Sequence, residues 1–144
     1  MVERDGDRPL VNSRGGAAAR PGFQDLVAWQ RAMELVTAVY RVTRDWPREE
    51  LYGLTSQIRR AAVAIPSNLA EGHGRSGPRE YAHHVAIAFG SLCELETQIL
   101  IGEQLGSVNG DMTAELTART AEVRRLTRGL LRSLRLPASA DALA

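Results

Sequence analysis

Leu51–Arg75, LYGLTSQIRRAAVAIPSNLAEGHGR, decides the fold of this chain. Leu51, Leu54, Ile58, Ala61, Ile65 and Leu69 recur at spacings of three and four, so they share one face of a helix. That face runs straight through Pro66. An interior proline leaves the carbonyl four residues back, here Ala62, without its helical donor and clashes with it. The cost is on the order of 3 kcal/mol or more. Packing along the whole face has to offset it, and a kink at Pro66 is expected. Ala61, Ala62, Ala64, Ser67 and Ala70 are small enough for neighbouring helices to approach closely, while Gln57, Asn68 and Glu71 set polar groups beside the seam. The stretch predicts a packed helical bundle with polar contacts built into it.

Working outward, residues 1–21 mix Gly, Pro, Ala and charges without apolar period and read as a flexible leader. A first helix is expected from about Gln24 to Asp45, with Leu26, Trp29, Met33, Val36, Tyr40 and Thr43 on its buried face, until Trp46 and Pro47 stop it. Arg48, Glu49 and Glu50 then open the second helix, the two acids suiting the positive end of its dipole. Gly72 to Pro78 supplies glycine for a stop, Ser76 for a cap and proline for a start.

The third helix carries Tyr81, Val85, Ala88, Leu92, Leu95, Ile99 and Gly102 in heptad alternation, and a second strip at Ile87, Phe89, Leu100 and Ile101 implies burial on two sides. Gly90 inside it costs about 1 kcal/mol against alanine, which predicts close packing there, with the small residues of helix two as partner. Gly106, Asn109 and Gly110 mark the next turn; a fourth helix follows through Leu116, Val123, Leu126, Leu130 and Leu134 to Pro137. The expected fold is all-α, an antiparallel up-and-down four-helix bundle over residues 22–136, with a flexible tail at 137–144.

The chain's 144 residues suit one domain. Its single cysteine, Cys93, rules out an intrachain disulfide framework, and no signal-peptide pattern opens the chain, so a cytoplasmic protein is expected. No stretch reads as the roughly 20 apolar residues that span a bilayer, so no membrane partner is expected. The net charge of +1 does not announce a nucleic-acid binder. All 18 basic residues are arginine, which would suit bidentate phosphate contacts, but a genomic base composition favouring arginine codons is the simpler account of such usage.

Charge distribution says more than charge. The fourth helix sets six arginines against Asp111, Glu115 and Glu122, a net of +3. Arg124, Arg128, Arg132 and Arg135 share a face that can track a phosphate backbone, RNA or DNA; the alternative is a solvated face complementing the helix C-terminus, since the patch lacks aromatic residues for stacking. Arg59 and Arg60 require a carboxylate where the helices meet, with Glu94, Glu96 or Glu71 as candidates. Together with Gln57, Asn68 and Glu71, the residues Arg59, Arg60 and Glu94 form a candidate assembly seam between helices or subunits. His73, His83, His84 and Glu80 do not make a closed metal site. Ser67, Ser91 and Cys93 lack a histidine and acid at recognisable spacing, and no cofactor motif is present. No enzyme activity is expected.

Three blocks, FQDLVAWQRAMEL from Phe23, WPREELYGLTSQIRRAAVAIPSNLAEGHGR from Trp46 and YAHHVAIAFGSLCELETQI from Tyr81, resemble the bacterial family of proteins encoded in intervening sequences of 23S rRNA genes. Ala64 and Leu69 stand where the family pattern usually has serine and isoleucine. The resemblance implies a non-enzymatic, ribosomal-RNA-associated bundle assembling as a homopentamer. A distant relative, the accessory protein of diversity-generating retroelements, is said to bind nucleic acid and a reverse transcriptase. The expected function is therefore an RNA-binding or adaptor module with a possible protein partner, or else a purely structural scaffold.

Overall fold

The computed structural model of the protein describes residues 22–50, 52–75 and 77–135. The expected leader and tail, Leu51 on the helix-two face, Ser76 at the cap and Leu136 lie outside the described residues. Four α-helices make up the described chain: α1 Val27–Thr43, α2 Leu54–His73, α3 Pro78–Gln104 and α4 Gly110–Arg135, with short 3-10 turns at Phe23–Asp25 and Arg48–Glu50. Each helix packs on its neighbour in sequence, and α4 closes the square against α1. This is the up-and-down four-helix bundle. The most extensive contact is between α2 and α3.

α2 passes through Pro66 without interruption, so the expected kink does not break the helix. Pro66 itself is buried. Next to it, Ser67 Oγ donates to the Val63 carbonyl at 2.8 Å and Asn68 Nδ2 donates to the Ala64 carbonyl at 2.8 Å, giving side-chain donors to the turn that the proline disturbs. Ile58, Ala61, Ala62, Ile65 and Leu69 are buried as the sequence pattern requires. α3 buries Val85, Ala88, Leu92, Leu95, Ile99 and Gly102, also as expected.

Most of the expected face of α1 is not its core. The core face is Ala28, Ala32, Leu35, Ala38, Val39, Val42 and Thr43; of the expected stripe Thr43 is buried, whereas Met33 and Tyr40 are exposed and Trp29 and Val36 only half-buried. Both stripes have helical spacing, and the outer one carries the larger side chains. α2 also begins later than expected, because Arg48–Glu50 forms its own 3-10 turn. Glu50 still serves the helix start: its carboxylate accepts from the Leu54 amide at 3.2 Å.

The glycines are corrected as well. A Cβ at Gly90 would meet nothing within 4 Å, so α2 does not pack on it. The close approach is at Gly72, which stays inside α2 rather than ending it; a Cβ there would lie 2.7 Å from the His84 Cβ and 3.0 Å from the Tyr81 ring. Gly102 makes the same allowance for Trp46, at 3.0 Å, and this seats the buried tryptophan against the end of α3. Gly106, at φ 74°, closes α3, with the Ser107 amide donating to the Gly102 carbonyl at 2.9 Å. Asn109 caps α4, its Oδ1 accepting from the Met112 amide at 2.9 Å.

α3 is also long and apolar enough, by length and composition, to cross a membrane, which corrects the expectation that no stretch approaches that size. Seven of its residues instead lie in the bundle core.

Candidate nucleic-acid interface

α4 is amphipathic through an unexpected core. Thr113, Leu116, Thr120, Val123 and Thr127 are its buried residues. Thr113 and Thr120 return their hydroxyls to the carbonyls of Asn109 and Leu116, at 3.0 and 2.6 Å, so these threonines enter the core with their polar atoms paired. On the flank toward α1, ion pairs fasten the two helices. Arg41 forks onto the Glu115 carboxylate, Arg31 Nε reaches Glu122 at 3.1 Å, and Arg119, which bonds Glu115 within α4 at 3.3 Å, lies 3.9 Å from Glu34 of α1. The hydrogen bond from Arg41 holds the Glu115 carboxyl below its ordinary range against the opposing effect of burial.

The flank toward α3 carries the predicted arginine stripe, and the structure divides it. Arg124 Nη2 bonds Glu96 Oε2 at 2.5 Å, so its charge is met within the bundle. Arg128 sits over the Phe89 ring, 5.4 Å from its centroid. Arg125, Arg132 and Arg135 are exposed and have no acidic partner among the described residues. The free cationic stripe is therefore Arg125, Arg128, Arg132 and Arg135, still at spacings of three and four, with Arg124 replaced by Arg125. Phe89 also supplies the aromatic face that the α4 sequence alone lacks. From Val123 to Arg135 there are five arginines and no acid. The stripe ends at an open groove of about 580 Å³ between the start of α3 and the end of α4, floored by Pro78, Ala82, Ala86 and Leu134 and rimmed by Arg79 and Arg135.

The polar seam is only partly a seam. Asn68 Oδ1 lies 3.4 Å from His84 Nδ1, and Glu71 lies 3.9 Å from His84 Nε2 while accepting from Arg75 at 2.8 Å. Arg75 first, and His84 second, hold the Glu71 carboxyl below its ordinary range. Tyr81 closes this cluster, its hydroxyl buried and its ionisation pushed up by that burial. Asn68 and Glu71 thus do join α2 to α3. Arg59 does not: its Nε donates to Thr43 Oγ1 at 2.9 Å and its guanidinium lies 4.6 Å from the Tyr40 ring centroid, so it turns to α1. Gln57 and Arg60 are exposed. Glu94 is exposed on α3 and accepts only from Gln98, at 3.2 Å; the interhelical acid is Glu96, and its partner is Arg124. The Arg59 hydroxyl partner was missed because a buried threonine carries no charge signal in sequence.

The chain matches the family described as 23S rRNA-intervening sequence protein over residues 24–129. It belongs to that family. A crystal structure of a protein of unknown function from the S23 ribosomal protein family of Bacteroides thetaiotaomicron VPI-5482 has the same fold, with a TM-score of 0.69 at 14% identity, covering 74% of this chain and 96% of that one. No curated protein matches. The match to the 23S rRNA-intervening sequence family takes in α1, α2, α3 and most of α4, and it agrees with the membership read from the three sequence blocks. It stops at Gly129, so Arg132 and Arg135 lie beyond it. Their role has to be argued from this chain's own geometry.

Proposed function

We propose that this 23S rRNA-intervening sequence protein is a non-enzymatic, cytoplasmic, self-assembling bundle that binds structured RNA through α4. The observation that carries the reading is the Arg125, Arg128, Arg132 and Arg135 stripe, which faces solvent without a carboxylate among the described residues while the other arginines of α4 are paired. Guanidinium groups at helical spacing match successive phosphates, and the Arg79- and Arg135-rimmed groove extends the cationic surface onto α3. The family's association with 23S rRNA intervening sequences makes an rRNA helix the first ligand to try. Serine chemistry is not part of the reading, since Ser67 commits its hydroxyl to a backbone carbonyl.

The test is a gel shift with a 23S rRNA hairpin at two salt concentrations. Counting only Arg125, Arg132 and Arg135 of the stripe, since Arg128 lies over Phe89, three phosphate contacts at a slope near −0.9 each lower affinity roughly 40-fold between about 50 and 200 mM salt. Arg125→Gln, Arg132→Gln and Arg135→Gln together should remove most of that dependence. Binding that is unchanged in the triple variant, or insensitive to salt in the native chain, rejects α4 as the contact surface. A second reading, a protein-interaction scaffold, is favoured by the exposed apolar residues Ile87, Leu100 and Ile101 on α3; in that case the complexes would withstand salt.

A further inference from the structure

We propose that the trough between α1 and α2 binds an unpaired segment of an RNA strand, with bases against Tyr52 and Trp29 and phosphates on Arg59 and Arg60. The inference rests on the reading of the protein as an RNA binder, but it assigns a second surface whose chemistry differs from that of α4.

Two open clefts make up the trough. The wider, of about 610 Å³, holds Tyr40, Tyr52, Arg59 and Arg60; the narrower, of about 360 Å³, holds Trp29, Met33 and Pro66. Val63 lines both, so one runs into the other. From Trp29 to Tyr40 the α1 wall rises about 17 Å at about 1.5 Å per residue. That is several times the spacing of about 3.4 Å between stacked nucleotides of one strand, which makes the trough a track for a strand and not a pocket for a single free nucleotide.

Its cationic centre is fixed before any ligand arrives. Arg59 Nε donates to Thr43 Oγ1 at 2.9 Å, Thr43 Oγ1 donates in turn to the Val39 carbonyl at 2.8 Å, and the guanidinium lies 4.6 Å from the Tyr40 ring centroid. The two Nη groups have no partner among the described residues. A planar fork held in place with its outer donors open suits a phosphate. Arg60, the next residue, is exposed and also has no carboxylate among the described residues. No acidic side chain among the described residues lines either cleft, so the trough favours an anionic occupant along its length.

The rings decide which anion. Tyr52 is 93% exposed, which leaves its ring without a packing role in the described protomer. At the other end Trp29 is half-buried, and Phe23 meets it edge-on with 5.3 Å between ring centroids, which braces the indole at the mouth of the narrower cleft. Aromatic rings set along a basic groove hold single strands, because every unpaired base has a face to stack. A duplex keeps those faces inside its own stack, and an acidic peptide would engage the arginines but leave the rings idle. The α4 stripe is the opposite case: its one neighbouring ring, Phe89, lies beneath Arg128, and its open groups are guanidiniums suited to the phosphates of a helix. Since α1 packs on α2, α2 on α3, α3 on α4 and α4 on α1, the α1/α2 trough and the α3/α4 flank lie on opposite sides of the bundle. The two contacts can therefore be altered separately.

Fluorescence anisotropy of the full chain with labelled hexaadenylate, and separately with a blunt RNA duplex, tests the assignment. Tyr52 and Arg60 are exposed, so their replacement leaves the fold intact. Tyr52→Ala should weaken hexaadenylate binding roughly 5- to 150-fold, the range for loss of one base–aromatic stack, whereas Tyr52→Phe should keep the native affinity. Arg60→Gln should lower the salt slope for hexaadenylate by about 0.7, one single-strand phosphate contact. None of these variants should alter duplex binding, while the triple glutamine variant at Arg125, Arg132 and Arg135 should weaken the duplex and spare hexaadenylate. The inference is overturned if the native chain does not bind hexaadenylate, if Tyr52→Ala binds it as the native chain does, or if Tyr52→Phe loses as much as Tyr52→Ala. Displacement of hexaadenylate by an equal concentration of hexaglutamate also overturns it and assigns the trough to an acidic protein segment. A native chain that binds hexaadenylate but not the duplex rejects the α4 contact and upholds this one.

Discussion

Replacing glycine by alanine at two helical positions should have opposite effects. Within a helix the exchange gains up to about 1 kcal/mol from lower backbone entropy loss, less near a helix end. Gly129 lies inside α4 with nothing within 4 Å of an added Cβ, so Gly129→Ala should stabilise by about 0.5–1 kcal/mol. Gly72 is the penultimate residue of α2, and its Cβ would fall 2.7 Å from the His84 Cβ, 3.0 Å from the Tyr81 ring and 3.3 Å from the Tyr81 carbonyl oxygen. The first and last of these are fixed by the backbone of α3, so the two helices must part. Overpacking of this kind costs about 1–3 kcal/mol, which outweighs the propensity gain and leaves Gly72→Ala less stable by about 1–2 kcal/mol. At about 4 °C per kcal/mol for a domain of this size, the two variants should melt roughly 6–12 °C apart. Thermal circular dichroism and urea midpoints at unchanged m-value measure this. If Gly72→Ala melts at or above the native temperature, the close approach of α2 to α3 is not what sets that glycine.

Leu35→Ala should destabilise by about 2–5 kcal/mol because Leu35 is fully buried. Met33→Ala, two residues away on the exposed side of α1, should change stability by less than about 1 kcal/mol, and urea denaturation of both decides which stripe of α1 is the core. Acid should weaken the fold in a defined direction. Glu71 and Glu115 are held below their ordinary value of 4.5 by hydrogen bonds from Arg75 and Arg41, so their stabilisation is complete above that pH and is lost as pH falls through the lower folded values. A melting-temperature series from pH 6 to pH 3 should fall in this window, and Glu71→Gln with Glu115→Gln should flatten it; an unchanged slope contradicts the pairing. Phe89→Ala should weaken RNA binding less than the arginine variants do, since it supports only the Arg128 guanidinium. Equal losses in a filter-binding assay would place the ring in direct contact with RNA.

The parts of the fold legible in sequence are those where a single stripe of large apolar residues had no competitor. α2 meets that condition, with Ile58 and Ile65 buried; on α3 the heptad set, Leu92 and Ile99 among it, is buried, while Ile87, Leu100 and Ile101 of the second strip, expected to be buried too, are exposed. α1 does not meet it. Its true core face contains three alanines, Ala28, Ala32 and Ala38, while Trp29, Met33 and Tyr40 form the more conspicuous stripe. Hydrophobic periodicity ranks faces by side-chain size, but close helix packing favours small residues, so the two criteria diverged. α4 was obscured for a related reason: two of its three core threonines, Thr113 and Thr120, enter the core with their hydroxyls returned to the helix, which a residue scale does not register.

The candidate site was harder to read because charge pairing is a tertiary property. Spacing identified the arginine face of α4, but only the position of Glu96 on α3 separates Arg124, whose charge is met, from Arg125, whose charge is not. The same limitation explains Arg59, expected to need a carboxylate and instead held by Thr43 and Tyr40. A guanidinium can be satisfied by a hydroxyl and a ring face while keeping its full charge, and that leaves Arg59 available to an acid from outside. The misassigned stripe of α1 and the apparently unsupported arginine therefore have one physical explanation. Both belong to a surface that the isolated bundle leaves uncovered, where apolar residues at helical spacing carry the periodicity of a core without being part of it.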